Sequence, residues 1–100
     1  MEKSIEERFD RNYDNLTNIS DRLGTLVGYL YEDLKNDSTN EKNREVIEEL
    51  SEIARMIINA QRDLVDTVGT KDEQFLHNNL DYKEVSINDF LSQLRDSKTR

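Results

Sequence analysis

Few side chains in this chain have the types and spacing that chemistry requires. His77 is the sole histidine, and cysteine is absent. Glu73 stands four residues before His77, so a helix would put both on one face as possible metal ligands. Two ligands do not make a site. Zinc takes three or four nitrogen, sulfur or oxygen donors, and a di-iron bundle needs a repeated Glu-x-x-His pair that one histidine cannot supply. With one imidazole there is also no serine with a positioned base, and without cysteine there is no thiolate nucleophile and no disulfide. His77 is therefore expected to be an ordinary, partly exposed side chain, with no metal and no cofactor bound.

The carboxylates are more numerous. Glu45 and Glu48, Glu49 and Glu52, and Asp63 and Asp66 are each three residues apart, so each pair shares a helical face. In this spacing they resemble the paired acidic motifs with which all-α nucleoside-triphosphate pyrophosphatases hold Mg²⁺. The resemblance implies a metal-dependent nucleotide hydrolase as an alternative function. That family carries its pairs on two helices that converge across a bundle, whereas all six residues here fall on one continuous helix. Glu45, Glu48 and Glu52 lie away from its apolar stripe, in the first half of the helix, where solvation and the helix dipole account for them. A non-enzyme is the expected reading, and no family is assigned.

The elements that would position these groups are all helices. The chain has no proline and only three glycines, which argues against a sandwich or barrel with its frequent turns. From Glu2 to Asn36 a seven-residue register places Phe9, Leu16, Leu23 and Leu30 on one line and Ile5, Asn12, Ile19 and Leu26 on another. Tyr13, Val27 and Leu34 widen the stripe on one side and Tyr29 on the other, enough for two neighbours and hence for a bundle. Residues 36–43, NDSTNEKN, break the pattern, with Ser38 and Glu41 spaced as a capping box. A second helix, from Asn40 to Val68, follows antiparallel to the first. Its Met56, Ile58 and Val65 fall outside the main stripe and require a second contact surface. Gly69 is placed to stop it in a left-handed conformation. Thr70 with Glu73 then opens a short third helix, NNLDYKEV (78–85) leaves helix, and Ser86 with Asp89 caps a fourth, stapled by Val85 and Phe90. Residues 95–100 are expected to fray. The expected architecture is thus all-α: a long antiparallel, coiled-coil-like hairpin over 1–69, and two short helices over 70–100 that pack on it or act as a docking segment, within a single domain.

One hundred residues bury only a small core, so self-association is expected, and a homodimer would complete a four-helix bundle. Gly24 and Gly28, four apart, cost up to about 1 kcal/mol each relative to Ala in a helix unless a neighbour uses the missing Cβ to approach closely. Asn12, polar on a seam line, either fixes register or is simply solvated. The formal charge of −8 divides as 8 acids against 5 bases over 1–36, 8 against 4 over 37–69 and 6 against 5 over 70–100. With no cluster of Lys and Arg, binding to nucleic acid or anionic membrane is disfavoured. No signal-peptide core and no apolar run near the roughly 18 residues of a membrane span is present, so a cytoplasmic location is expected.

The leading functional expectation is a non-catalytic protein–protein interaction module: a small acidic regulator, inhibitor or assembly factor for a larger protein. The Asn-, Ile- and Lys-bearing composition suits a bacterial or phage chain, the latter acting in the host cytoplasm. A structural or scaffolding role is the further alternative. The candidate interaction residues are Leu16, Leu23, Gly24, Val27, Gly28 and Leu30 of the first helix, Ile57 and Ile58 of the second, and Ile87, Phe90, Leu91 and Leu94 near the C-terminus. The last four form an i, i+3, i+4, i+7 face that either docks on a partner or folds back on the hairpin.

Overall fold

The computed structural model describes residues 2–98, with side chains for 4–96. The chain is all-α, in three helices: α1 (Glu2–Asn36), α2 (Glu41–Val68) and α3 (Glu73–Lys98). At about 1.5 Å per residue α1 alone runs about 52 Å, which accounts for the 55 × 19 × 14 Å extents of the molecule. Its radius of gyration of 16.2 Å exceeds the ~13 Å of a compact chain of this length.

Local chemistry explains the helix ends. Asp37 terminates α1 in a tight turn in which Thr39 donates to Asp37 Oδ1 from both its amide (3.2 Å) and its hydroxyl (2.6 Å). The cap of α2 is Asn40, whose side chain accepts from the Asn43 amide at 3.0 Å. The expected Ser38–Glu41 box is not made, because α2 starts two residues too late for Ser38 to occupy the cap. Gly69 closes α2 at φ 65, ψ 56 and donates to Val65 O at 2.9 Å, the left-handed C-terminal cap that only glycine adopts without strain. Thr70 does not cap α3 through its hydroxyl, which is buried without a hydrogen-bond partner among the described residues.

The largest departure from expectation lies at the C-terminus, where one 26-residue helix replaces two short ones. Residues 78–85 remain helical because Leu80, in the middle of that stretch, is fully buried. Leu80, Ile87 and Leu94 stand seven apart and form one stripe against α2. The propensity cost of Asn78 and Asn79, up to about 0.7 kcal/mol each, is smaller than what such burial returns, about 1.5–3 kcal/mol for one leucine. Ser86 and Asp89 are mid-helix residues, and Val85 is exposed rather than stapled to Phe90. The helix continues through Arg95 and Asp96 to Lys98, while Thr99 and Arg100, also expected to fray, lie outside the described residues.

Both α1 and α3 pack on α2. Between α1 and α3 no pair of Cα atoms among the described residues comes within 8 Å. They meet through side chains at one end, where Leu34, Ile47, Leu91 and Leu94 form a buried cluster with Val27, Leu30, Tyr31, Ile87 and Phe90 around it. The rings of Tyr31 and Phe90 lie 5.1 Å apart there. Arg44, buried beneath, donates from its guanidinium to Leu94 O at 2.7 Å. Farther along, Gln61 ties α2 to α1: its Nε2 donates to Tyr13 O (3.2 Å) and Thr17 Oγ1 (2.9 Å). Arg62 ties α2 to α3 by ion pairs with Asp81 and Glu84.

Candidate functional site: an apolar cleft between α1 and α3

Between the Tyr31–Phe90 contact and the Arg62 ion pairs, α1 and α3 stand apart over a cleft of about 300 Å³. Its apolar surface comes from Leu23 and Val27 of α1, Leu50, Ala54 and Ile58 of α2, and Ile87 and Phe90 of α3. The opening is a consequence of residue size. Facing positions on α1 carry Ser20 and Gly24, and α3 offers Ser86, while Tyr82 at the rim is 74% exposed. None of these bridges the gap as Tyr31 and Phe90 do. Ser51, on the floor, adds little polarity, because its hydroxyl already donates to Ile47 O at 2.8 Å. Asp21 and Lys83 put opposite charges on the two walls.

Of the residues singled out from sequence, Leu23, Gly24, Val27, Ile58, Ile87 and Phe90 are brought together around this cleft. The others are not. Leu91 and Leu94 are interior, so the segment expected as a possible docking tail is part of the core. Leu30 packs against that cluster, Ile57 is buried, and Leu16 is half-buried. Gly24 and Gly28 do not serve a close approach within the chain, since a Cβ added at either would meet no atom within 4 Å. Gly24 instead deepens the cleft. Sequence reasoning missed Leu50, Ala54 and Tyr82 as lining residues; the lengthwise Leu80–Ile87–Leu94 stripe is the signal that would have placed α3, and with it the cleft wall.

The groups with potential acid–base or metal chemistry lie elsewhere. At the α2–α3 turn, Asp66, Glu73 and His77 bring their donor atoms within 4.8 Å of one another. By spacing alone Glu73 joins His77, and Asp66 pairs with Asp63. In the fold His77 Nε2 donates to Asp66 Oδ1 at 2.8 Å, with Glu73 at 4.0 Å, and the trio acts as a clasp between the two helices. Glu52 is taken up by Arg55 at 2.9 Å. The three acidic pairs remain on one helix, and the carboxylate that α3 brings to them is Glu73, which meets Asp66 beside His77. Burial, with the charge of Asp14 adding to it, pushes the Tyr13 phenol up from its ordinary value. The hydrogen bond from Arg62 to Glu84, opposed by partial burial and assisted by Asp81, pushes the Arg62 guanidinium up.

No family model matches the chain, and neither a curated protein nor a solved structure matches it. No helix of the described residues is long and apolar enough to cross a membrane.

Proposed function

We propose that this chain is a non-catalytic protein-interaction module, a small regulator, inhibitor or assembly factor, whose central cleft receives the apolar face of a helix from a larger protein. The observation that carries this reading is the cleft: an unfilled apolar groove floored by Leu50, Ala54 and Ile58 of α2, with the small Ser20, Gly24 and Ser86 in its walls, at the point where a fourth helix would complete a bundle. Anchors two or three side chains wide would fill it, and Asp21 and Lys83 would orient them.

The test exploits the free space at Gly24. Gly24→Leu extends a side chain into the cleft from a Cβ position that meets no atom within 4 Å, so it should leave unfolding unchanged or slightly improved. Capture from the native host with wild-type and Gly24→Leu proteins, followed by a binding isotherm for whatever is retained, should show a partner lost by the variant and regained by Gly24→Ala. Equal retention by Gly24→Leu would remove the cleft from the function. Saturable Mg²⁺ binding abolished by Glu49→Gln would bring forward the nucleotide-hydrolase reading instead.

A further inference from the structure

Outside the cleft, the hairpin carries a second apolar feature, which at Val46 borders a groove that Leu91 and Arg95 of α3 also line. On α1 the line Ile5–Asn12–Ile19–Leu26 remains uncovered although it repeats every seven residues, with Ile19 48% and Leu26 52% exposed. On α2, Val46 and Ile53, also seven apart, are 39% and 41% exposed. Each stands two residues, about 200° of helix, beyond Arg44 and Ser51, which face inward. The register of the hairpin is set by Asn43 Nδ2 donating to Leu30 O and Gln61 Nε2 to Tyr13 O. With that register Leu26 falls at a height between Val46 and Ile53, and Ile19 just beyond Ile53. The four side chains therefore interleave into one ladder along the α1–α2 seam.

Charge flanks the ladder asymmetrically. On the outer edge of α1 stand Arg11 and Arg22, and on the outer edge of α2 stand Glu49 and Asp63; all four are exposed and make no ion pair within the chain among the described residues. A two-fold axis parallel to the helices would lay α1 of one copy against α2 of the other. That operation brings Arg22 near the level of Glu49 and Arg11 near the level of Asp63, basic edge on acidic edge, twice per dimer. It also makes every adjacent pair of helices antiparallel. The alternative axis, across the helices, would set arginine edge against arginine edge. A seam about 32 Å long at 1.5 Å per residue and roughly 20 Å wide for two helices presents on the order of 600 Å² per copy, close to the ~800 Å² of a standard interface.

We infer that the α1–α2 seam is the interface of a closed, two-fold homodimer in which α1 of each copy packs antiparallel on α2 of the other, with Ile19, Leu26, Val46 and Ile53 at its centre and Arg22–Glu49 pairs at its edge. Asn12 sits in this seam, where a buried amide specifies register. The inference stands independently of what occupies the cleft.

Sedimentation equilibrium of the full chain from low micromolar to several hundred micromolar decides it. The wild type should fit a monomer–dimer equilibrium with no larger species. Ile53→Asp should be a helical monomer throughout, since the side chain is 41% exposed in the single chain. Arg22→Glu should weaken association about tenfold across the two symmetric contacts, and Arg22→Glu with Glu49→Arg should restore it. Rescue by the double swap, which keeps composition and net charge, separates direct pairing from a general charge effect and does not depend on how Ile53→Asp folds. A monomeric wild type, a dimer indifferent to Ile53→Asp, growth beyond dimer, or failure of the swap to rescue would each overturn the inference. Gly24→Leu should leave the dimer intact, so loss of the cleft reading and loss of this one are told apart.

Discussion

The two halves of the α1–α3 boundary are built from the same three helices and reach opposite outcomes. At the Leu34–Leu94 end, large side chains from all three helices converge, Tyr31 and Phe90 bridge α1 to α3, and Arg44 fastens the last turns of α3. One or two turns away, Ser20, Gly24 and Ser86 leave the same two helices unjoined over an apolar cleft. Backbone paths alone do not decide where a thin bundle is closed. The volumes of a few facing side chains do, and a groove with apolar walls is what remains where they are small.

The sharpest way to break this comparison is to remove equal volume from both places. Leu94→Ala deletes a side chain that is buried on all sides and should cost about 2–5 kcal/mol, lowering the thermal midpoint by ten degrees or more. Leu23→Ala takes the same atoms from a half-buried cleft wall and should cost about 1–1.5 kcal/mol. Equal losses in thermal unfolding would mean that the cleft is packed as tightly as the closed end.

Next in size is the fastening of the closed end. Arg44→Ala withdraws the donor from Leu94 O in the last turns of α3, where the helix dipole favours a cation. A cost of about 2–3 kcal/mol is expected, read by urea unfolding, with hydrogen exchange rising first in residues 90–96. Uniform loss of protection along α1 as well would show that Arg44 holds the whole bundle rather than one end of α3.

Legibility in the sequence follows the same division. The bounds of α1 and α2 and the Gly69 stop were readable, because each rests on a local pattern: a heptad line, a run of turn residues, a glycine after the last apolar position. The single C-terminal helix was not, because Asn78, Asn79, Ser86 and Asp89 are local signals for caps and breaks. They are overridden by burial of Leu80, which depends on α2. For the same reason six of the candidate interaction residues were found in the cleft, while Leu91 and Leu94, identical to them in spacing, are core. Spacing shows that a face is apolar. It does not show which neighbour has already covered it. The clasp of Asp66 on His77 was hidden similarly, since the two are joined through a turn and lie eleven positions apart.

Glycine substitutions sharpen the comparison at lower amplitude and with opposite signs. Gly24→Ala places a methyl group in open space on a helix and should stabilise the chain by about 0.5–1 kcal/mol. Gly69→Ala forces an L side chain into the left-handed cap at φ 65 and should cost about 1–2 kcal/mol. Both are read from urea midpoints at constant slope. A loss at Gly24 would point to a neighbour using that surface, and repeating the measurement across protein concentrations would tell whether that neighbour is a second copy.

The smallest effect concerns the turn that covers the closed end. Asp37 is held below the ordinary 3.8 of an aspartate, chiefly by the Thr39 hydroxyl and then by the Thr39 amide. A carboxylate whose folded value is depressed adds stability that is fully present above its unfolded pKa and is lost as pH falls through the folded one. Thr39→Val should therefore raise the Asp37 value toward 3.8, visible in a carboxyl ¹³C titration. Any stability difference between the two proteins should be widest at neutral pH and disappear in acid. The apolar cluster beneath has no such dependence, so helical signal from residues 90–96 should persist through the Asp37 titration. Loss of that signal in step with Asp37 would place the closure of this end in the turn rather than in Leu34, Ile47, Leu91 and Leu94.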